Sequence, residues 1–104
     1  MEQIAFKMFL RAGQADEYRR RHDAIWPELA VLLHAAGIRD YSIFLDPGTH
    51  VLFAVLRLTA DHASGDLPGD AIMQRWWRHM ADIMETAPDG SPRQVALEPM
   101  FHMD

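Results

Sequence analysis

Cysteine is absent from the 104 residues, which excludes disulfides, thiolate metal ligands and a cysteine nucleophile. Long apolar runs are missing too. No stretch approaches the roughly 20 residues of a membrane span, and Met1-Glu2-Gln3 opens without the basic and apolar regions of a secretory signal. A soluble and, most simply, cytoplasmic protein is expected, with no membrane partner. None of the six glycines builds a glycine-rich loop that opens a helix after a strand, which argues against nucleotide phosphate binding. The six histidines include no His-Glu-x-x-His run and no pair one helical turn apart, so no metal site is expected. Basic character is scarce at a formal net charge of -5, and the one basic run is Arg19-Arg20-Arg21. Those arginines fan out around one turn among Asp16, Glu17 and Asp23. A solvated helix face with local ion pairs therefore outweighs nucleic-acid binding.

The length fits one domain, residues 1–104. Ile4 to Leu10 alternates as a strand, with Ile4, Phe6, Met8 and Leu10 on one face. A helical pattern then runs from Tyr18 through His22, Ile25, Leu29, Leu32 and Leu33 to Ala36. Pro27 cannot sit inside it, because its ring would collide with the Asp23 carbonyl, so a kink or restart is expected there. Gly37 closes the helix, and Tyr41 to Leu45 is a second strand with Tyr41, Ile43 and Leu45 on one face. Asp46-Pro47-Gly48-Thr49 turns the chain into a third strand, Val51 to Leu58, apolar on both faces except at Arg57. Thr59 to Asp70 is expected to be irregular. A second helix follows over Asp70 to Glu85, with Ile72, Met73, Trp76, Met80, Ile83 and Met84 on one stripe and Trp77 at its edge. A last strand is expected over Val95 to Met103, held to an edge or a bulge by Pro99.

The order β-α-β-β-α-β is that of an α+β, ferredoxin-like domain with an antiparallel sheet. Two helices cover only one face of four strands. The other face keeps large apolar residues, so a homodimer with the sheets facing each other is expected. Any pocket then lies between each sheet and its own helices.

Within that frame two stretches carry chemistry. Tyr18 and His22 stand four residues apart, so a phenol and an imidazole share a helix face. A structural pair and a functional pair weigh equally on pattern alone. A helix that ends just after His22 leaves carbonyls nearby, and their negative ends favour the imidazolium. His22 is therefore expected to titrate higher, toward neutral pH, as a general acid. Trp76 and Trp77 point about 100° apart on a helix. Two core tryptophans outweigh an arrangement in which one packs and the other walls a cleft. Tyr41 reaches a pocket if its face looks toward the helices. Asp82 and Glu85 are expected to face water.

These residues also carry a resemblance. Glu17-Tyr18-Arg19-Arg20-Arg21-His22-Asp23, Ile25-Trp26-Pro27-Glu28-Leu29, Asp40-Tyr41-Ser42-Ile43, the Trp76-Trp77 pair with Met80-Ala81-Asp82-Ile83-Met84, and Ser91-Pro92 span the chain. Together they resemble the L-rhamnose mutarotase family from end to end. The resemblance implies a homodimeric α+β barrel of ferredoxin-like subunits that interconverts the α and β anomers of L-rhamnose or a similar deoxy-aldose, with no cofactor. It also implies His22 as proton donor to the ring oxygen and Tyr18, Tyr41, Trp76 and Trp77 as sugar-binding residues, Tyr18 or a water handling the anomeric proton. Two rivals share the scaffold: a small dimeric-barrel monooxygenase and a non-catalytic sugar-binding module.

Overall fold

Alternation decides the sheet. In the computed structural model, which describes residues 1–104, β3 (Val51–Leu58) buries Leu52, Ala54, Leu56 and Leu58 on one side and turns Phe53, Val55 and Arg57 to the other. β1 (Glu2–Phe9) pairs antiparallel to it, Ile4, Phe6 and Met8 opposite Leu56, Ala54 and Leu52. β2 (Ile38–Asp46) flanks β3 and a short β4 (Gln94–Ala96) flanks β1, giving the antiparallel order β2-β3-β1-β4. This is the ferredoxin-like strand order expected from the chain pattern.

The helices lie on the side of the sheet that carries Leu52 and Ala54. The first helical stretch breaks into α1 (Ala15–Asp23) and α2 (Pro27–Ala35), with Trp26 extended at φ -60° and ψ 127° between them. Pro27 opens α2, where its missing N–H has no partner to lose. α3 runs Ala71–Met80 and is capped by the Asp70 carboxylate, which accepts from the Ile72 N–H at 2.8 Å. Tyr18, Leu29, Met73, Trp76 and Met80 from these helices share one core with Met8, Leu52 and Ala54. Burying a residue such as Leu29, 1% exposed, contributes about 1.5–3 kcal/mol.

Several boundaries differ from the sequence expectation, the first being β1, which runs Glu2–Phe9 rather than Ile4 to Leu10. β2 starts earlier, at Ile38, and its register slips between Arg39 and Ser42, so that Asp40 and Tyr41 together stand opposite Leu56. Asp40 takes the left-handed φ of 48° that this bulge needs. The extra residue resets the alternation, and Ile38 and Tyr41 both face the helices. α3 stops at Met80 rather than Glu85, because the next backbone groups pair with the end of β1: Arg11 N–H donates to the Ile83 carbonyl at 2.9 Å and Glu85 N–H to that of Phe9 at 3.0 Å. The irregular stretch holds a 3-10 turn over Ser64–Gly69. The last strand is three residues, not nine as Val95 to Met103 implied. Leu97 N–H still reaches the Ala5 carbonyl at 3.0 Å, but Pro99 has no N–H to continue the ladder.

On the far side of the sheet Phe44, Phe53 and Val95 are 64%, 39% and 41% exposed. No helix of this chain covers them. None of its helices is long and apolar enough to cross a membrane.

Candidate active site

A cleft of about 1290 Å³ opens between the sheet and its helices, and Tyr18, His22, Tyr41, Trp76 and Trp77 all line it. All five side chains singled out in the sequence therefore line one extended cleft, in which the rings of Tyr18, His22 and Trp76 are in contact. A small-molecule site typically takes about 300–1,000 Å³, so one sugar fills only part of this cleft.

His22 sits on the last turn of α1, half-buried. Its Nδ1 lies 3.1 Å from the Tyr18 carbonyl oxygen. A carbonyl only accepts, so Nδ1 carries the hydrogen and, in the neutral ring, Nε2 keeps a free lone pair. The imidazole stacks on the Tyr18 ring with centroids 4.3 Å apart and planes at 26°. Its other neighbour is Trp76, met edge-on at 5.4 Å and 87°. One hydrogen bond and two aromatic contacts fix the ring.

Its charge differs from expectation. The Tyr18 carbonyl and the Asp23 carboxylate do favour the imidazolium, but burial disfavours it more, and the pKa of His22 lies below its ordinary value of 6.5. Carbonyl dipoles are partial charges, whereas desolvation acts on the whole ionic charge. At neutral pH the resting imidazole is neutral, a base rather than an acid. An NMR titration of the His22 ring is expected to give a midpoint below 6.5. Between the two pKa values the unfolded chain holds a proton that the folded chain lacks, so stability rises with pH across that window. The His22 contribution is complete above the unfolded value and is lost as pH falls through the folded one. A midpoint at or above 6.5 would contradict this account.

The two tyrosines stay protonated. Burial pushes the Tyr18 hydroxyl far above the ordinary phenol range, and the nearby Tyr41 adds to the shift. Tyr41 itself is pushed up to about 12 by burial, although 39% of its surface is open. A cleft wall can be reached by water and still be mostly surrounded by protein. Both phenols therefore serve as hydrogen-bonding groups, not as bases.

The two tryptophans both pack on the core and both line the cleft, but they are buried unequally. Trp76 is 6% exposed and takes Trp26 edge-on at 5.1 Å and His79 at 5.5 Å. Trp77, one residue further round α3, is only half-buried at the cleft. About 100° round the helix from Trp76, Trp77 packs on the edge of the core that holds Met73, Trp76 and Met80.

Sequence alone assigns Trp26 and Arg21 no role at the site, and Arg21 only a solvated, ion-paired helix face. Trp26 belongs to the aromatic cluster through Trp76 and lies under the Arg75 guanidinium, 5.8 Å from its ring centre. Arg20 and Arg21 pair with Glu17, as a local ion-paired face implies, but the Arg21 side chain is only 11% exposed. It crosses to Asp82, 61 residues away. The i, i+4 spacing signalled its Glu17 contact; nothing local signalled Asp82.

The chain matches the L-rhamnose mutarotase family over residues 3–103. An L-rhamnose mutarotase of Burkholderia orbicola is 64% identical over 104 residues, 100% of both chains, and one of Jannaschia sp. is 61% identical over 103 residues, 99% of each. The crystal structure of an L-rhamnose mutarotase from Formosa agariphila, 45% identical, superposes with a TM-score of 0.93 over 100% of both chains. A Mycobacterium tuberculosis protein, Rv0793, has the same fold at 14% identity, with a TM-score of 0.59 over 98% of this chain and 97% of its own. Since the match runs through every element of the sheet and every wall of the cleft, this chain belongs to the L-rhamnose mutarotase family.

Proposed function

We infer that the chain interconverts the α and β anomers of L-rhamnose, and that the exchange is catalysed in the cleft of a single domain spanning residues 1–104, with His22 as the proton carrier. The anchored imidazole, with Nδ1 held by the Tyr18 carbonyl and Nε2 free, is the observation that carries this reading. Anomers exchange when the bond between the anomeric carbon and the ring oxygen breaks, the aldehyde rotates about one bond, and the ring closes on its other face. Neutral His22 takes the proton of the anomeric hydroxyl. The resulting alkoxide collapses to the aldehyde and expels the ring oxygen, which takes the proton back from the imidazolium. Both oxygens sit on one carbon, so one nitrogen can serve both in turn. Closure runs the same steps in reverse, and His22 ends neutral. No oxidant, metal or covalent intermediate enters the balance.

The other four residues bind. Tyr18 and Tyr41 hold sugar hydroxyls as hydrogen-bonding partners, and the indole of Trp77 or Trp76 takes an apolar face of the ring with its 6-methyl group. Saturation-transfer NMR of L-rhamnose at anomeric equilibrium tests the reading, with L-fucose and D-glucose as control sugars. Faster exchange of L-rhamnose is expected with catalytic amounts of protein. An exchange rate equal to that of buffer would overturn the function.

A homodimer that forms an α+β barrel through the open sheet face, acting in the cytoplasm, belongs to the same reading. The chain exposes 6947 Å², against about 5,900 Å² for a folded monomer of this size. Phe44, 64% exposed beside Phe53, lies on that face. Sedimentation is expected to give the mass of two chains, and Phe44→Asp is expected to give one; an unchanged dimer in the variant places the interface elsewhere.

A further inference from the structure

α1 carries His22 but buries little of itself: Tyr18 is its one buried residue. Something else must fix its rotation and height above α3. Arg21 makes that connection. On its own helix its Nε donates to Glu17 Oε2 at 2.7 Å. Across the gap Nη1 donates to the His79 carbonyl at 2.6 Å and to Asp82 Oδ1 at 2.8 Å, while Nη2 reaches Asp82 Oδ2 at 3.2 Å. One planar fork thus holds a carboxylate by both oxygens and an otherwise unpaired carbonyl at the C-terminal end of α3, where the helix dipole favours a cation. Glu17 is ionised when it takes the Arg21 bond, its pKa held down to about 2 by Arg20 and Arg21.

The elements joined by this fork carry the site. His79 and Trp76 lie on α3 with their rings 5.5 Å apart, and Trp76 meets the His22 ring. Arg21 does not line the cleft, whereas Arg19 and His22 of the same helix do. Resting on the reading of His22 as proton carrier, we propose that Arg21 is a positioning residue: its clamp on Asp82 and the His79 carbonyl sets the angle of α1 over α3, and so aims the His22 imidazole between Tyr18 and Trp76.

Lysine cannot replace this fork, because a single ammonium cannot span a carboxylate with two parallel N–H bonds while also reaching Glu17. Arg21→Lys is expected to lower kcat for anomer exchange about 10- to 100-fold, with a smaller change in KM, since misplacing a catalytic group by about 1 Å has an effect of this order. Asp82→Arg sets a second cation against the guanidinium from a side chain that is 66% exposed, so the variant folds, and the same fall in kcat is expected. The His22 NMR titration in both is expected to move up toward the ordinary histidine value as the loosened ring is hydrated. Arg20→Ala is the control, since Arg20 is 68% exposed and pairs only with Glu17. Near wild-type kcat is expected for it.

Wild-type kcat in folded Arg21→Lys and Asp82→Arg would overturn the clamp. So would a lowered melting temperature with an unmoved His22 titration, the signature of a purely structural role, or an equal loss of kcat in Arg20→Ala. His22→Ala is measured alongside. If that variant keeps full exchange, the reading of His22 fails and this proposal with it; if it is inactive while Arg21→Lys and Asp82→Arg are not, the clamp alone fails.

Discussion

His22→Ala is expected to lose the enzymatic acceleration of L-rhamnose exchange, falling by about 10²–10⁴-fold, the usual worth of a positioned acid–base group. The reaction already proceeds in water, so the variant's rate approaches that of buffer and not zero. Neither phenol beside it can take over at neutral pH: burial holds both Tyr18 and Tyr41 protonated, and a phenol that stays protonated cannot accept the anomeric proton as a base. The substitution removes the stack on Tyr18 and leaves the Tyr18 carbonyl without its side-chain donor. That costs about 1–2 kcal/mol, within the usual range for a point change, so a folded protein remains to be assayed. Saturation-transfer NMR, with circular dichroism to confirm folding, makes the measurement. Because the resting ring is neutral, the wild-type rate is also expected to fall as pH drops through the His22 pKa. A folded His22→Ala protein with wild-type exchange would remove His22 from the mechanism.

Trp76→Ala and Trp77→Ala are expected to separate cleanly, although the residues are neighbours. Trp76 is 6% exposed and touches Trp26, His79 and His22. Its truncation leaves a cavity where three elements meet and costs about 3–5 kcal/mol, a large share of the roughly 5–15 kcal/mol that holds a domain folded. Trp76→Ala is thus expected to unfold at much lower urea concentration and to lose activity through both folding and a misplaced His22. Trp77 is half-buried and makes none of those ring contacts. Its truncation is expected to cost about 1 kcal/mol, as partly exposed changes do, and to act on the sugar, raising KM. Urea unfolding followed by circular dichroism, set beside KM for L-rhamnose, distinguishes the two. Equal losses of stability would mean that both indoles are core.

Much of the scaffold was legible because its signals are local. The β3 boundaries, Val51–Leu58, follow from an apolar run between a proline-glycine turn and polar residues, and the restart at Pro27 follows from one missing N–H. Where distant backbone competes, legibility failed. Residues 81–85 read as helix, yet the end of β1 takes the N–H of Glu85 and the carbonyl of Ile83. The Tyr41 face was right, but the bulge at Asp40 that preserves it alongside Ile38 was not visible, since a register slip is a relation between two strands.

At the site the same division holds. The residue types, their turn-by-turn spacing and the resemblance carried along the whole chain were determined by the sequence alone, because a family is a pattern of residues and a helix face is a matter of counting. Tertiary structure decided the protonation of His22, the unequal burial of Trp76 and Trp77, and the reach of Arg21 to Asp82. Desolvation depends on how much protein surrounds a charge, whichever part of the chain supplies it, and the atoms that bury the His22 ring come from α3 as well as from its own helix.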